Sequence, residues 1–417
     1  MQPSRNATRF AFIMVTSLFF MWGFVHNLDP ILIPHLKKSF SLSTLQSSLV
    51  DSAVFIAYFL MALPAGFIMK KYGYKTGIIT GLSLFALGSF LFIPAANTQQ
   101  YFFFLAALFI IACGLTILET AANPYASLLG DPATSTQRLN FAQSFNGLAA
   151  TVAPIIGARI ILTKGYSDEA LNAMDATARQ MALASEAASV KTPYFILGCV
   201  IVLIALIFAF IKLPDIKEEG EIAPAKSIRH TLQHRHLLGG VVAQFFYVGA
   251  QVCVFSFFIL FAIKASGIDR IKAADYLGWG CGMAFMVGRF IGTFLMRFIA
   301  PPKLLALYAL INVVLCIVAI NAHGMIPVYA VIGIAFFMSI MFPTIFSLGI
   351  KDLGSDTELG SSLIIMSIVG GALLPPVLGY ISDVTRNIQL GYIVPMVCFA
   401  VVFWFGWKGH KAKPVKS

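Results

Sequence analysis

Twelve times along this chain close to twenty residues pass with few charges or none, and no other feature narrows the fold as far. The runs cover approximately residues 10–33, 47–69, 76–94, 101–125, 140–162 and 193–211, then 237–263, 273–298, 304–320, 325–349, 360–382 and 390–407. A helix needs roughly 20 mainly apolar residues to cross the hydrocarbon core of a bilayer. Composition agrees: 59% of the 417 residues are hydrophobic and only 11% charged, with a mean hydropathy of +0.84. A soluble domain carries about 25% charged residues, so this chain cannot cover a water-facing surface. The expectation is an all-α integral membrane protein with twelve transmembrane helices.

The longest strongly charged stretch, 212–236, falls between the sixth and seventh runs. It divides the chain into an N-terminal six-helix bundle (1–211), a linker (212–236) and a C-terminal six-helix bundle with a basic tail (237–417), the layout of a transporter built from related halves. Lys and Arg concentrate in the linker, in the tail and in alternate loops, which puts both termini and the linker in the cytoplasm. The net charge of +11 then reflects that bias rather than a nucleic-acid partner. The six cysteines lie in apolar runs without CxxC spacing and read as packing residues. No cleavable signal peptide is evident. The alanine-rich stretch 168–191 reads as a short surface helix or an external loop, and Asp352, Asp356 and Glu358 as loop residues.

A charged side chain at the bilayer centre costs roughly 2.5–3.5 kcal/mol even on mild scales, so those that occur face protein or a water-filled cavity. Glu119 ends a run that is uncharged from 101 to 118, and Asn123 lies four residues on, on the same helical face. The first segment carries "FVHNLDPILIP", in which His26 and Asn27 precede Asp29, and Pro30 favours a kink. Asp51 stands near the start of the second. Asp29, Asp51 and Glu119 are the candidate cation-coupling groups. Asn140, Gln143 and Asn146 recur every three residues, and Gln244, Tyr247 and Gln251 share a face of the seventh segment. Amides match hydroxyl groups, and ring faces such as Trp22, Tyr247 and Phe255 match C–H surfaces, so these positions suit a polyhydroxylated ligand. Arg289 is expected at the inner gate, paired with an acid or with helix carbonyls. No HExxH, GxSxG or paired-aspartate pattern is present, so an enzyme is not expected.

"ETAANP" (119–124), "LNFAQSFNG" (139–147), "AQFFYVGAQ" (243–251) and "FPTIFSLGIKDLG" (342–354) resemble the fucose:proton symporter family of the major facilitator superfamily. The resemblance runs from the first segment to the last. It implies two six-helix bundles, alternating access and ion-driven sugar uptake, with Glu119 in sugar recognition and proton coupling and Asn27, Gln143 and Asn146 at the sugar. One departure is in the first segment. The family resembles "NNLNDILLP" where this chain reads "HNLDPILIP", with the aspartate one residue earlier; a carboxylate cluster of that kind would ligate Na⁺, at Asp29 and Asp51, as readily as H⁺.

The expected protein is a bacterial cytoplasmic-membrane symporter, a monomer in lipid without a cofactor, importing a neutral monosaccharide of the fucose, glucose, galactose, mannose or N-acetylglucosamine type with H⁺ or Na⁺. The sugar contacts are Trp22, His26, Asn27, Glu119, Asn123, Gln143, Asn146, Tyr247, Gln251 and Phe255. A passive sugar facilitator and a drug or lipid transporter are the alternatives.

Overall fold

A computed structural model describes residues 5–27, 36, 39–40, 49–98, 100–157, 173–211, 213, 228–268 and 270–411, all helix and turn without a strand among them. Asp29 and Pro30 lie outside these residues, and of Asp51 only the helical backbone is described. The helices are α1 (Arg5–His26), α2 (Leu49–Thr98), α3 (Tyr101–Leu128), α4 (Ser135–Gly157), α5 (Ala176–Ala188), α6 (Lys191–Phe210), α7 (Ile228–Thr231) and α8 (Arg235–Ser266). After them come α9 (Arg270–Asp275), α10 (Met283–Leu295), α11 (Pro301–Asn321), α12 (Ile326–Met338), α13 (Met341–Gly349), α14 (Thr357–Met366), α15 (Gly370–Thr385), α16 (Ile388–Gly391) and α17 (Ile393–Trp404). The chain packs as two compact units. The larger comprises Met1–Phe20, Ala122–Thr151 and Pro214–Ser417, and the smaller comprises Met21–Ala121 and Val152–Leu213.

Among the described residues nine helical stretches are long and apolar enough to cross a membrane. One of them, on α2, is 46 residues long. At 1.5 Å per residue that is about twice the roughly 30 Å hydrocarbon core. It is two crossings that turn at Gly73, whose φ of 82° suits a residue without a side chain. Two further segments fall short for identifiable reasons: α4 carries the polar ladder, and the eighth, which runs from α9 through a π-helical turn at Tyr276–Gly282 to α10, carries Arg289 and five glycines, Gly278, Gly280, Gly282, Gly288 and Gly292. Counting α2 twice and adding these two gives the twelve crossings.

In the smaller unit, glycines set how closely α2 and α3 approach. Gly77 and Gly81, four apart, face Ala121 and Leu118 of α3, and a Cβ on Gly114 would stand 2.6 Å from the Gly81 carbonyl oxygen. Without a hydrophobic drive between helices in lipid, such close backbone packing is what holds them together. It also fixes the rotation of α3, and so the direction of Glu119. Phe92 stacks on Tyr194 of α6, ring centroids 3.6 Å apart. The stretch 168–191 contributes α5, capped by Asp175, whose carboxylate accepts from the Ala178 N–H at 2.7 Å.

In the larger unit the tenth and eleventh segments are each broken. Between α12 and α13 the reason is in the sequence: Pro343 has no N–H, so the Ser339 carbonyl four residues earlier loses its helical partner. A 3₁₀ turn at Ser367–Val369 separates α14 from α15. Gly370 lies against the Phe245 backbone of α8, too close for any side chain. Asp356, expected in a loop, is instead buried, with 1% exposure, at the start of α14. Two imidazoles meet it there, which makes the burial tolerable.

Gly114→Val forces α2 and α3 apart. It is expected to destabilise the protein by about 1–3 kcal/mol, the range for overpacking, in thermal unfolding in detergent. Gly278→Ala, at a position with open space, should leave stability near that of the parent.

Candidate functional site

Glu119 lies on α3 in the smaller unit, 8% exposed. The hydroxyl of buried Tyr58, on α2, donates a hydrogen bond to its carboxyl. Sequence reasoning missed Tyr58; the signal was a single tyrosine in the apolar run "VFIAYFLMALP". At the end of α1, Trp22 is buried, His26 exposed and Asn27 half-buried. The Asn27 Nδ2 donates to the Gly23 carbonyl at 2.6 Å, so this amide closes the end of its own helix. His26 also borders a small cavity with Val25, Leu115 and Tyr194.

The larger unit takes up α3 from Ala122, and Asn123, one turn beyond Glu119, is fully buried. Its Oδ1 accepts from the Gln143 Nε2 of α4 at 2.9 Å. The Gln143 backbone carbonyl in turn accepts from the Arg289 Nη1 of α10 at 2.7 Å. Arg289 Nε donates to the Ser339 carbonyl at 2.8 Å, the oxygen that Pro343 leaves without a partner. The guanidinium lies 4.6 Å above the Phe285 ring, a cation–π contact. Of the two partners expected for Arg289, the structure has the carbonyls. No carboxylate among the described residues lies within ion-pair distance of it.

The same face of α4 continues this polar seam. Asn140 Nδ2 donates to Thr344 Oγ1 at 3.1 Å, Thr136 and Ser347 hydroxyls are 2.9 Å apart, and Gln137 Nε2 reaches the Thr293 carbonyl at 3.4 Å. Thr344 and Ser347 were not anticipated; their signal was a pair of hydroxyl residues three apart on one face of an otherwise apolar α13. The seam therefore ties the fourth and fifth segments to the eighth and tenth. That is why Ala122–Thr151 packs with the C-terminal half of the chain.

Along α8, Tyr247 is buried, and Gln251 and Phe255 are half-buried. Phe255 meets the Phe285 ring edge-on at 5.7 Å, beneath Arg289. Asn146 is half-buried one turn from Gln143. Asn123 Nδ2 and both polar atoms of Gln244 are buried with no partner among the described residues. A buried amide left so costs about 1–3 kcal/mol per group. These are the atoms to which a hydroxylated ligand, or a rearranged seam, would bring the most.

The family model of the Major Facilitator Superfamily matches residues 11–354. The chain is 42% identical over 403 residues to the L-fucose-proton symporter of Escherichia coli (strain K12), covering 94% of this chain and 92% of that protein. It is also 42% identical over 405 residues to the glucose/galactose transporter of Brucella abortus (strain 2308), covering 97% and 95%. Among solved structures, the Major Facilitator Superfamily transporter FucP in the outward conformation matches with a TM-score of 0.90. The identity is 42%, covering 96% of this chain and 99% of that one.

Arg289→Lys replaces a planar fork by a single ammonium that cannot reach both carbonyls. Loss of one charge-assisted bond is expected to cost about 1.5–3 kcal/mol in thermal unfolding. Gln137→Ala, which removes only the longest bond of the seam, should cost less.

Proposed function

The chain belongs to the Major Facilitator Superfamily, and from that we propose that it is a secondary active transporter carrying a neutral monosaccharide together with a proton into the cell across the cytoplasmic membrane. The observation that carries the reading is a carboxyl inside a membrane helix, Glu119, one helical turn from a buried amide network. Glucose, galactose and fucose, the sugars in the names of its relatives, define the substrate class.

Two six-helix bundles, 1–211 and 237–417, joined by 212–236 on the cytoplasmic side, form the working halves. The amides of Asn123, Gln143, Asn146, Gln244 and Gln251 recognise sugar hydroxyls, and the rings of Tyr247 and Phe255 meet the apolar sugar faces. Glu119 takes up and releases the proton, with the Tyr58 hydroxyl answering whichever form is present. The proton fits better than Na⁺, because a hard metal cation needs a shell of about six oxygen ligands and Glu119 with Tyr58 offers three oxygens. The Na⁺ alternative rests on Asp29 and Asp51, which lie outside the described side chains.

Coupling follows from α3. A proton arriving at Glu119 changes the charge one turn from Asn123, and Asn123 holds Gln143, whose carbonyl holds Arg289. The seam serves as the gate: it closes as a set of bonds across four segments and opens when they part. Ion and sugar each favour the state in which both are held, and that shared preference is the thermodynamic content of symport.

The test is uptake of labelled L-fucose, glucose and galactose into proteoliposomes. An imposed pH gradient is expected to accumulate at least one of them and a Na⁺ gradient alone to accumulate none. If no sugar accumulates with either gradient, symport is wrong; accumulation with Na⁺ alone transfers the coupling to the other ion. Glu119→Gln should reduce gradient-driven accumulation to the level of empty liposomes while sugar exchange at equal concentrations continues. Undiminished accumulation in that variant removes Glu119 from coupling.

A further inference from the structure

Away from the seam, the larger unit holds a second cluster of polar side chains that transport does not use. His230, on α7 at the end of the charged linker, places Nδ1 2.9 Å from Asp356 Oδ2, and His234, just before α8, places Nε2 3.3 Å from the same oxygen. The three ligand atoms all lie within 4.8 Å of one another. The carboxylate is 1% exposed, and the two histidine side chains are 33% and 13% exposed. Both rings converge on one oxygen, while Asp356 Oδ1 is buried with no partner among the described residues. A carboxylate held only by hydrogen bonds would gain by dividing the two rings between its two oxygens. Two imidazole nitrogens and one carboxylate oxygen, all within 4.8 Å of one another, are close enough together to share a metal ion.

We propose that His230, His234 and Asp356 form a binding site for a divalent transition metal of the Zn²⁺ class. Two imidazoles and one carboxylate are a donor set that zinc takes, and its bonds of about 2.0–2.2 Å in tetrahedral geometry put ligand atoms about 3.3 Å apart. The two oxygen–nitrogen separations, 2.9 and 3.3 Å, lie within a few tenths of an ångström of this, and the two nitrogens, within 4.8 Å of each other, would be drawn together by rotation of the half-buried His230 ring. A fourth position is left for water. His236 supports the site from behind: its ring centroid is 5.8 Å from that of His234, and its Nε2 is bonded to the Lys351 carbonyl at 2.7 Å. This fixes one wall of the cluster to the turn that precedes α14. The imidazoles are four residues apart on the chain, whereas the carboxylate comes from 122 residues beyond His234. A bound ion would therefore clamp the end of the linker to the start of α14.

The experiment uses the full-length protein, without a polyhistidine tag, in detergent. After incubation with Zn²⁺ and removal of the free metal, the parent chain should retain one Zn²⁺ more per chain than His230→Ala/His234→Ala. Titration should show at least about a tenfold loss of affinity in His230→Ala and in Asp356→Asn, since even changes outside the ligand shell cause 10–100-fold losses. Asp356→Asn keeps an acceptor for both rings, so its fold is protected, and His323→Ala, an exposed histidine elsewhere, should bind as the parent does. Zn²⁺ should also raise the unfolding temperature of the parent and leave that of the double variant unchanged. Equal zinc content in the parent and the double variant, or equal affinity in the parent and Asp356→Asn, would overturn the proposal and leave the cluster as a hydrogen-bonded ion pair.

Discussion

The larger unit depends on one oxygen atom. Pro343 deprives the Ser339 carbonyl of its helical donor, and Arg289 supplies the replacement while its other arm holds the Gln143 carbonyl. A guanidinium can do this because its N–H groups diverge in one plane and because it is hydrated more weakly than an ammonium. Burying such a charge without a carboxylate is tolerable only while both carbonyls and the Phe285 face are in place together. As the proposed gate, an arrangement whose contacts must form together would suit two discrete states.

In the proposed mechanism, Glu119 and Asn123 extend that logic to coupling. They are one turn apart on a single helix, yet the first packs with the smaller unit and the second with the larger. Gly77, Gly81 and Gly114 leave α3 little freedom to rotate about its axis. In the proposed coupling, a change of charge at Glu119 would be passed along α3 towards Asn123 and Gln143. Close glycine packing, which joins helices in lipid, here holds the Glu119 stretch of α3 against α2 within the smaller unit.

How much of the site could be read in advance divides along a physical line. Asn123, Gln143 and Asn140 were legible as faces because helical periodicity is local, and each proves to lie in the seam. The distant partners of the seam were not: Thr344 lies 204 residues from Asn140, Ser347 lies 211 from Thr136 and Arg289 lies 146 from Gln143, and no pattern in either segment names the other. Tyr58 was hidden for a related reason, since one tyrosine among apolar residues is as common in a helix core as in a site. Asp356 was misread as a loop residue because its burial depends on His230 and His234, which look from the sequence like part of a solvated charged linker.

By itself the sequence determined that the chain lives in lipid, that it crosses as helices, and which residues carry polarity into the apolar interior. These follow from the length of a crossing and the cost of a charge in hydrocarbon, both of which depend only on neighbouring residues. Only the tertiary structure decided that Arg289 is held by carbonyls rather than by an acid, that Asn27 closes its own helix end, and that two histidines of the linker converge on a buried aspartate. Pairings of this kind are set by the packing of segments distant in the chain, where a shift of one helical residue, about 100° of rotation, exchanges one partner for another.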